Sequence, residues 1–242
     1  MRRRIAGILT CCLVLVAAGC AGPMRPSNPA PAGSLDAYPI FMAADAIDHD
    51  WLHFSIWRET EWRLAALEDE IVISATGKGS SSGLGRWVDI DTANCPVLEW
   101  SWRVDALPEQ ADLAERERDD AAASLFLAFG DPGSMSSPKP VPTIRYVWSA
   151  AANPVGAVID SPFMPGTLRS LVVRSGAEAV GTWVTERRDL REDYRLVFGS
   201  PPAAPIQAFA LFTDNDHLEA PTQAYYRWAS VLCTEAPEDM IQ

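Results

Sequence analysis

After its first 33 residues, this chain alternates apolar and polar positions with a period of two. The pattern is clearest in Val97–Val104, where Leu98, Trp100, Trp102 and Val104 point one way and Glu99, Ser101 and Arg103 the other. Ala121–Phe129 is instead a continuous apolar run of strand length, as expected of a central strand covered on both faces. Further strands are expected over Glu70–Ala75, Gly85–Ile90, Thr143–Ser149, Leu168–Arg174, Val180–Glu186, Pro205–Thr213 and Gln223–Cys233. Thr76–Gly83 reads as a turn-rich, flexible loop, and Pro132–Pro142 and Ser200–Pro205 as short loops. One helix is expected at Leu190–Phe198, where Leu190, Tyr194, Val197 and Phe198 share a side, Asp189 can cap the start and Gly199 the end. Trp62–Leu67 fits either a turn or a strand edge. These elements predict a mainly β fold: a two-layer, jelly-roll-like β-sandwich with one or two short helices. A closed barrel is the alternative.

The N-terminus follows a different rule. Arg2, Arg3 and Arg4 precede an apolar run from Ile5 to Ala18, and Ala17-Ala18-Gly19-Cys20 closes it. The run is shorter than the ~20 apolar residues that span a bilayer. This is the layout of a secretory leader, and Cys20 after small residues predicts a lipoprotein whose thiol carries the lipid. Residues 1–19 are therefore expected to be a signal peptide, 20–33 a Pro-rich tether and 34–242 a single domain. Ala21 rather than Asp after the lipid Cys favours the periplasmic face of the outer membrane.

Charge narrows the partners. The formal net charge is −12, and losing three arginines with the leader leaves about −15. Such a surface excludes nucleic acid and anionic headgroups as direct partners, so membrane contact is expected through the lipid alone. Of five cysteines, Cys11 and Cys12 leave with the leader and Cys20 is the anchor. Cys95 and Cys233 then remain as either one disulfide or two buried thiols.

Several short motifs occur in an order that resembles a known family. They are Ser81-Ser82-Gly83-Leu84, Leu98-Glu99-Trp100-Ser101-Trp102-Arg103-Val104, Arg118-Asp119-Asp120-Ala121 and Tyr146-Val147-Trp148-Ser149. Arg174-Ser175-Gly176, Glu186-Arg187-Arg188-Asp189-Leu190, Asp193-Tyr194, Phe198-Gly199 and Thr213-Asp214-Asn215-Asp216 follow. Together, across about residues 50–233, they resemble the bacterial exported proteins grouped as domain of unknown function 3047. The resemblance implies an exported jelly-roll sandwich similar to carbohydrate-binding modules, and no activity. One departure stands out. The family pattern implies an Arg a few residues after Asp119-Asp120, where this chain has Ala122-Ala123-Ser124.

Candidate chemistry gathers at strand ends. Asp119-Asp120 precedes one expected strand and Asp214-Asn215-Asp216 follows another. If those strands are antiparallel neighbours, Asp119, Asp120, Asp214 and Asp216 crowd one rim. A Ca²⁺ ion or the Arg187–Arg188 pair could neutralise it; the alternative is ordinary turn chemistry. Arg187, Arg188, Asp189 and Asp193 form a second polar cluster, either orienting a ligand or tying the helix to the sandwich.

Nine tryptophans raise the prospect of glycan stacking. Trp100 and Trp102 are expected in the core, Trp148 and Trp183 on other strands, and Trp51, Trp57 and Trp62 are the ones most open to exposure. His49 and His53 lie near the domain start and His217 in a loop; His49 with Asp48 and Asp50 fits a solvated loop, with a metal site as the alternative. No residue is nominated as catalytic: Gly79-Ser80-Ser81-Ser82-Gly83 meets the nucleophile-elbow pattern in letter but lacks its strand-to-helix setting. No other cofactor is expected. The leading expectation is a lipid-anchored periplasmic domain that binds a glycan or an envelope partner. A saccharide hydrolase with a carboxylate pair and a structural envelope protein are the alternatives.

Overall fold

The computed structural model describes residues 34–45, 51–134, 137–237 and 240–241. The expected leader, the expected lipid-anchor Cys20, the expected tether and His49 lie outside the described residues. The strands, in chain order, are β1 (Asp36–Met42), β2 (Leu52–Trp57), β3 (Glu61–Leu67), β4 (Glu70–Gly77) and β5 (Ser81–Ile90). Next come β6 (Val97–Ala106), β7 (Ala121–Phe129), the two-residue β8 (Gly133–Ser134) and β9 (Ser137–Pro138), and β10 (Thr143–Ser149). The series ends with β11 (Val158–Asp160), β12 (Leu168–Ser175), β13 (Val184–Asp189), β14 (Ile206–Asp214) and β15 (Thr222–Cys233). The helix α1 spans Leu190–Phe198.

Two sheets face each other. One has the order β13-β6-β15-β4-β3, with β1 also paired to β15; the other runs β11-β12-β10-β7-β14-β5-β2. Among the described residues this is a mainly β sandwich with a single α-helix. Pairing is antiparallel throughout both sheets, save that β10 and β12 run parallel.

The alternation of β6 locks the layers together. Leu98, Trp100, Trp102 and Val104 are all buried in the shared core. The Trp100 ring stacks on Tyr146 of β10 at 5.2 Å, and Trp102 meets Trp148 of β10 at 5.9 Å. This aromatic column joins the sheets, and truncating either Trp to Ala would cost about 3–5 kcal/mol. Trp148 therefore belongs to the core. Trp183 lies just ahead of β13, because turns occupy the residues where that strand is expected to begin. Trp51 is buried, whereas Trp57 is 54% exposed.

Trp62–Leu67, ambiguous in sequence, lies within strand β3. The expected flexible loop at Thr76–Gly83 is a correction. β4 reaches Gly77, β5 begins at Ser81, and Ser80, Ser81 and Ser82 are all buried. Polar side chains can be buried there because partners wait for them. Ser80 N–H donates to Asn215 Oδ1 (2.9 Å), the hydroxyls of Thr60 and Ser80 lie 3.0 Å apart, and Thr60 N–H and Trp62 Nε1–H donate to Ser82 Oγ.

Helix α1 has the expected caps. The Asp189 side chain accepts from the N–H groups of Arg191 and Glu192, and Gly199 ends the helix at φ 78°. Cys95, just before β6, and Cys233, at the end of β15, are joined by a disulfide. The antiparallel β6–β15 pairing brings them together, with Val97 opposite Leu232.

Candidate functional site

β7 and β14 are antiparallel neighbours, with Asp214 opposite Ala121. The start of one strand therefore meets the end of the other, and Asp119-Asp120 is brought beside Asp214–Asp216. Alternation decides which way the groups point. Ala123, Leu125 and Leu127 of β7, Ile144 and Tyr146 of β10, and Leu211 of β14 face the core. Ser124, Arg145, Phe212 and Asp214 then face outward from the second sheet. Asn215 turns the other way: it accepts from Ser80 and donates from its amide to the Ala220 carbonyl (2.6 Å).

Arg145 is the centre of the cluster. It is 3% exposed; its Nη1 donates to Asp119 Oδ1 (2.8 Å) and its Nε to Ser124 Oγ (3.0 Å). Ser124, in the stretch of β7 where the resemblance implies an Arg, accepts from this β10 arginine. Arg145 also lies over the Phe126 ring at 5.8 Å, and Phe126 meets Phe212, which stacks on Phe54 of β2. Gly83 makes room for that stack, since a Cβ there would come within 2.7 Å of Phe54 and 2.8 Å of Phe212.

The carboxylates are not equally settled. Asp120 is fully buried and accepts from the backbone N–H of Leu218 (2.9 Å) and of His217 (3.3 Å). Burial raises the Asp119 pKa, while Arg145 opposes the shift. Asp214 is pushed well above the usual carboxylate range by burial, with Asp216, Asp119 and Asp120 adding to the rise and Arg145 opposing it. Its Oδ1 is buried without a hydrogen-bond partner among the described residues. His217 Nδ1 lies 2.8 Å from Asp216 Oδ1 and 3.5 Å from Asp120 Oδ1. The shorter contact is not aligned as a hydrogen bond, so Asp216 Oδ1 is a second buried oxygen without a hydrogen-bond partner among the described residues. One ligand atom each from Asp120, Asp216 and His217 lies within 4.8 Å of the others.

An aromatic side chain borders these groups. The Phe163 ring, 44% exposed, lies 5.6 Å from the His217 ring, and the Arg116 guanidinium lies over it at 4.3 Å. Phe163 and Arg145 carry no site signal in sequence; for His217 the signal is its place next to Asp216. All three come from segments distant from Asp119-Asp120.

The expected second polar cluster is elsewhere and serves the fold. Arg187 pairs with Glu99, and Arg188 grips both oxygens of the buried Asp193. Tyr146 also donates its hydroxyl to Asp193 Oδ2 (2.8 Å). Asp189 is occupied as the helix cap. Tyr194 of the helix meets Phe129, the last residue of β7, at 4.6 Å, so α1 closes the end away from the carboxylates. The Arg187–Arg188 pair therefore does not neutralise the Asp119/Asp120/Asp214/Asp216 rim; Arg145 is the arginine there.

Comparison with known proteins gives a family. No protein of curated function matches the sequence. Similar solved structures include the carbohydrate recognition domain of Emp47p, with 11% identity, a TM-score of 0.43 and coverage of 85% of this chain and 99% of that one. Another is a mutant of the carbohydrate-binding module CBM29-2 in complex with cellulohexaose (9% identity, TM-score 0.38, 82% and 92% coverage). A third is the Endo-D glycoside hydrolase domain of Streptococcus pneumoniae R6 (8% identity, TM-score 0.38, 78% of this chain). The chain spans 22% of the length of that hydrolase structure. A model of the family described as protein of unknown function DUF3047 matches residues 49–228, the greater part of the folded chain, and the chain belongs to that family.

Proposed function

We propose that this protein is an exported, lipid-anchored binding domain that takes a glycan beside Phe163 on the outward side of the second sheet. The observation that carries the reading is the exposed Phe163 ring next to the His217 imidazole, which in turn contacts the partly exposed Asp216 carboxylate. A sugar ring presents an apolar C–H face and a rim of hydroxyl donors. A half-exposed aromatic ring suits the first, and the Asp216 carboxylate and the His217 imidazole suit the second. The Cys95–Cys233 disulfide supports export, because such bonds persist in oxidising compartments. Cys20 is the anchor in this reading, at the periplasmic face of the outer membrane, and Cys20→Ser should move the protein to the soluble periplasmic fraction.

The test is a glycan array probed with the purified mature protein, followed by titration of the best hit. Phe163→Ala should weaken that hit at least about tenfold, the loss of a well-used aromatic contact. An array without hits, or Phe163→Ala binding as wild type does, overturns the reading. An envelope-protein partner recovered on the same face would replace it.

A further inference from the structure

Asp119, Asp120, Asp214 and Asp216 lie close together with one guanidinium, that of Arg145, among them, and of these four carboxylates Asp119 alone bonds it directly among the described residues. Two carboxylate oxygens, Asp214 Oδ1 and Asp216 Oδ1, are buried with no hydrogen-bond partner there. Buried acceptors and surplus negative charge are costly unless something neutralises them. From this geometry we infer that Asp120, Asp216 and His217, backed by Asp214, form a site for a divalent cation of the Zn²⁺ or Mn²⁺ kind.

Two of the three ligand spacings come near such an ion's, and all three ligand atoms lie within 4.8 Å of one another. Bonds of about 2.0–2.2 Å in a tetrahedral shell set neighbouring ligand atoms about 3.3–3.6 Å apart. His217 Nδ1 lies 3.5 Å from Asp120 Oδ1 and 2.8 Å from Asp216 Oδ1, the second needing only a small opening. The supporting shell is built as well. Asp120 is fixed in orientation by the N–H groups of His217 and Leu218, the kind of outer contact that steadies a ligating carboxylate. Donor chemistry selects the ion. Ca²⁺ gathers six to eight oxygens, whereas a set of two carboxylates and one imidazole nitrogen suits borderline cations. This refines the Ca²⁺ expectation that the aspartates alone suggest, because His217 is now part of the set.

The site does not depend on glycan binding, and its test uses none. Purified mature protein is stripped with EDTA, reloaded with Zn²⁺, Mn²⁺ or Ca²⁺, desalted, and measured for bound metal and for its melting midpoint. The expected result is one equivalent of Zn²⁺ or Mn²⁺ retained. The midpoint should rise by about 5–10 °C at a hundredfold excess over Kd. His217→Ala should bind at least tenfold more weakly while its EDTA-treated form melts as wild type does. His53→Ala, on the exposed strand β2, should bind normally. No retained Zn²⁺ or Mn²⁺, a response to Ca²⁺ alone, or a His217→Ala variant that binds as wild type would each overturn the inference.

Discussion

Two polar clusters are buried at opposite ends of β7. Near Phe129, Asp193 accepts from both Arg188 and the Tyr146 hydroxyl, and the groups sit between helix α1 and the sheet. Near Ala121, Asp119 has Arg145, but Asp214 and Asp216 keep buried oxygens with no hydrogen-bond partner among the described residues. The first closes its charges and hydrogen bonds within the fold. The second leaves them open. Fully satisfied networks fix a structure, whereas unsatisfied ones leave chemistry to be supplied from outside. The sequence offers both clusters as candidate sites, and only hydrogen-bond accounting separates them.

Breaking the closed cluster should have the larger effect. Asp193→Ala would leave Arg188 largely buried without its partner and strip the acceptor from Tyr146. The expected loss is about 3–5 kcal/mol, read by denaturant unfolding. A loss under about 1 kcal/mol would mean that the cluster is not what holds α1 in place.

The open cluster should respond with the opposite sign. In EDTA, Asp214→Asn removes a carboxylate that three other carboxylates disfavour, and stability should rise by about 1 kcal/mol. With Zn²⁺ or Mn²⁺ present the same change should reduce stability, since the carboxylate is then used. If Asp214→Asn destabilises in EDTA as well, the distinction between the two clusters fails.

What is legible in sequence is local. The β6 alternation, the apolar run of β7 and the caps of α1 each depend on residues within a few positions of one another, and the structure forms all three. The meeting of Asp119-Asp120 with Asp214–Asp216 can be anticipated because it needs only two strands to be antiparallel neighbours. The rest is long-range. Arg145 reaches the cluster from another strand, and Phe163 arrives on a loop whose path no periodicity encodes; His217 comes with its sequence neighbour Asp216, but which way its ring turns is set by the fold. Ser80–Ser82 look solvated in sequence because Gly and Ser favour turns. Ser80 and Ser82 can be buried because Thr60, Trp62 and Asn215, from other segments, satisfy them. Cys95 and Cys233 cannot be paired without knowing that β6 lies beside β15.

The finest separation of the two clusters comes from one hydroxyl. Tyr146→Phe removes a donor to Asp193 but leaves Arg188 in place, so the cost should be about 0.5–1.5 kcal/mol at neutral pH. Burial and the neighbouring Asp193 charge hold the Tyr146 pKa well above the ordinary phenol value of 10.0. A raised folded-state pKa contributes stability that is fully present below the unfolded value, about 10, and lost as pH rises through the folded one. Tyr194 and Tyr226 are shifted the same way by burial, so the wild type should weaken in alkali for several reasons at once. The difference between wild type and Tyr146→Phe isolates one of them. Denaturant unfolding between pH 8 and pH 11 should show the variant's deficit shrinking above about pH 10, because only the wild type has this phenol to ionise. The deficit should stay constant below that pH. A deficit that changes between pH 8 and pH 9, or never narrows, would mean that the Tyr146 hydroxyl is not held in the closed, buried arrangement that sets this cluster apart from the carboxylates at the other end of β7.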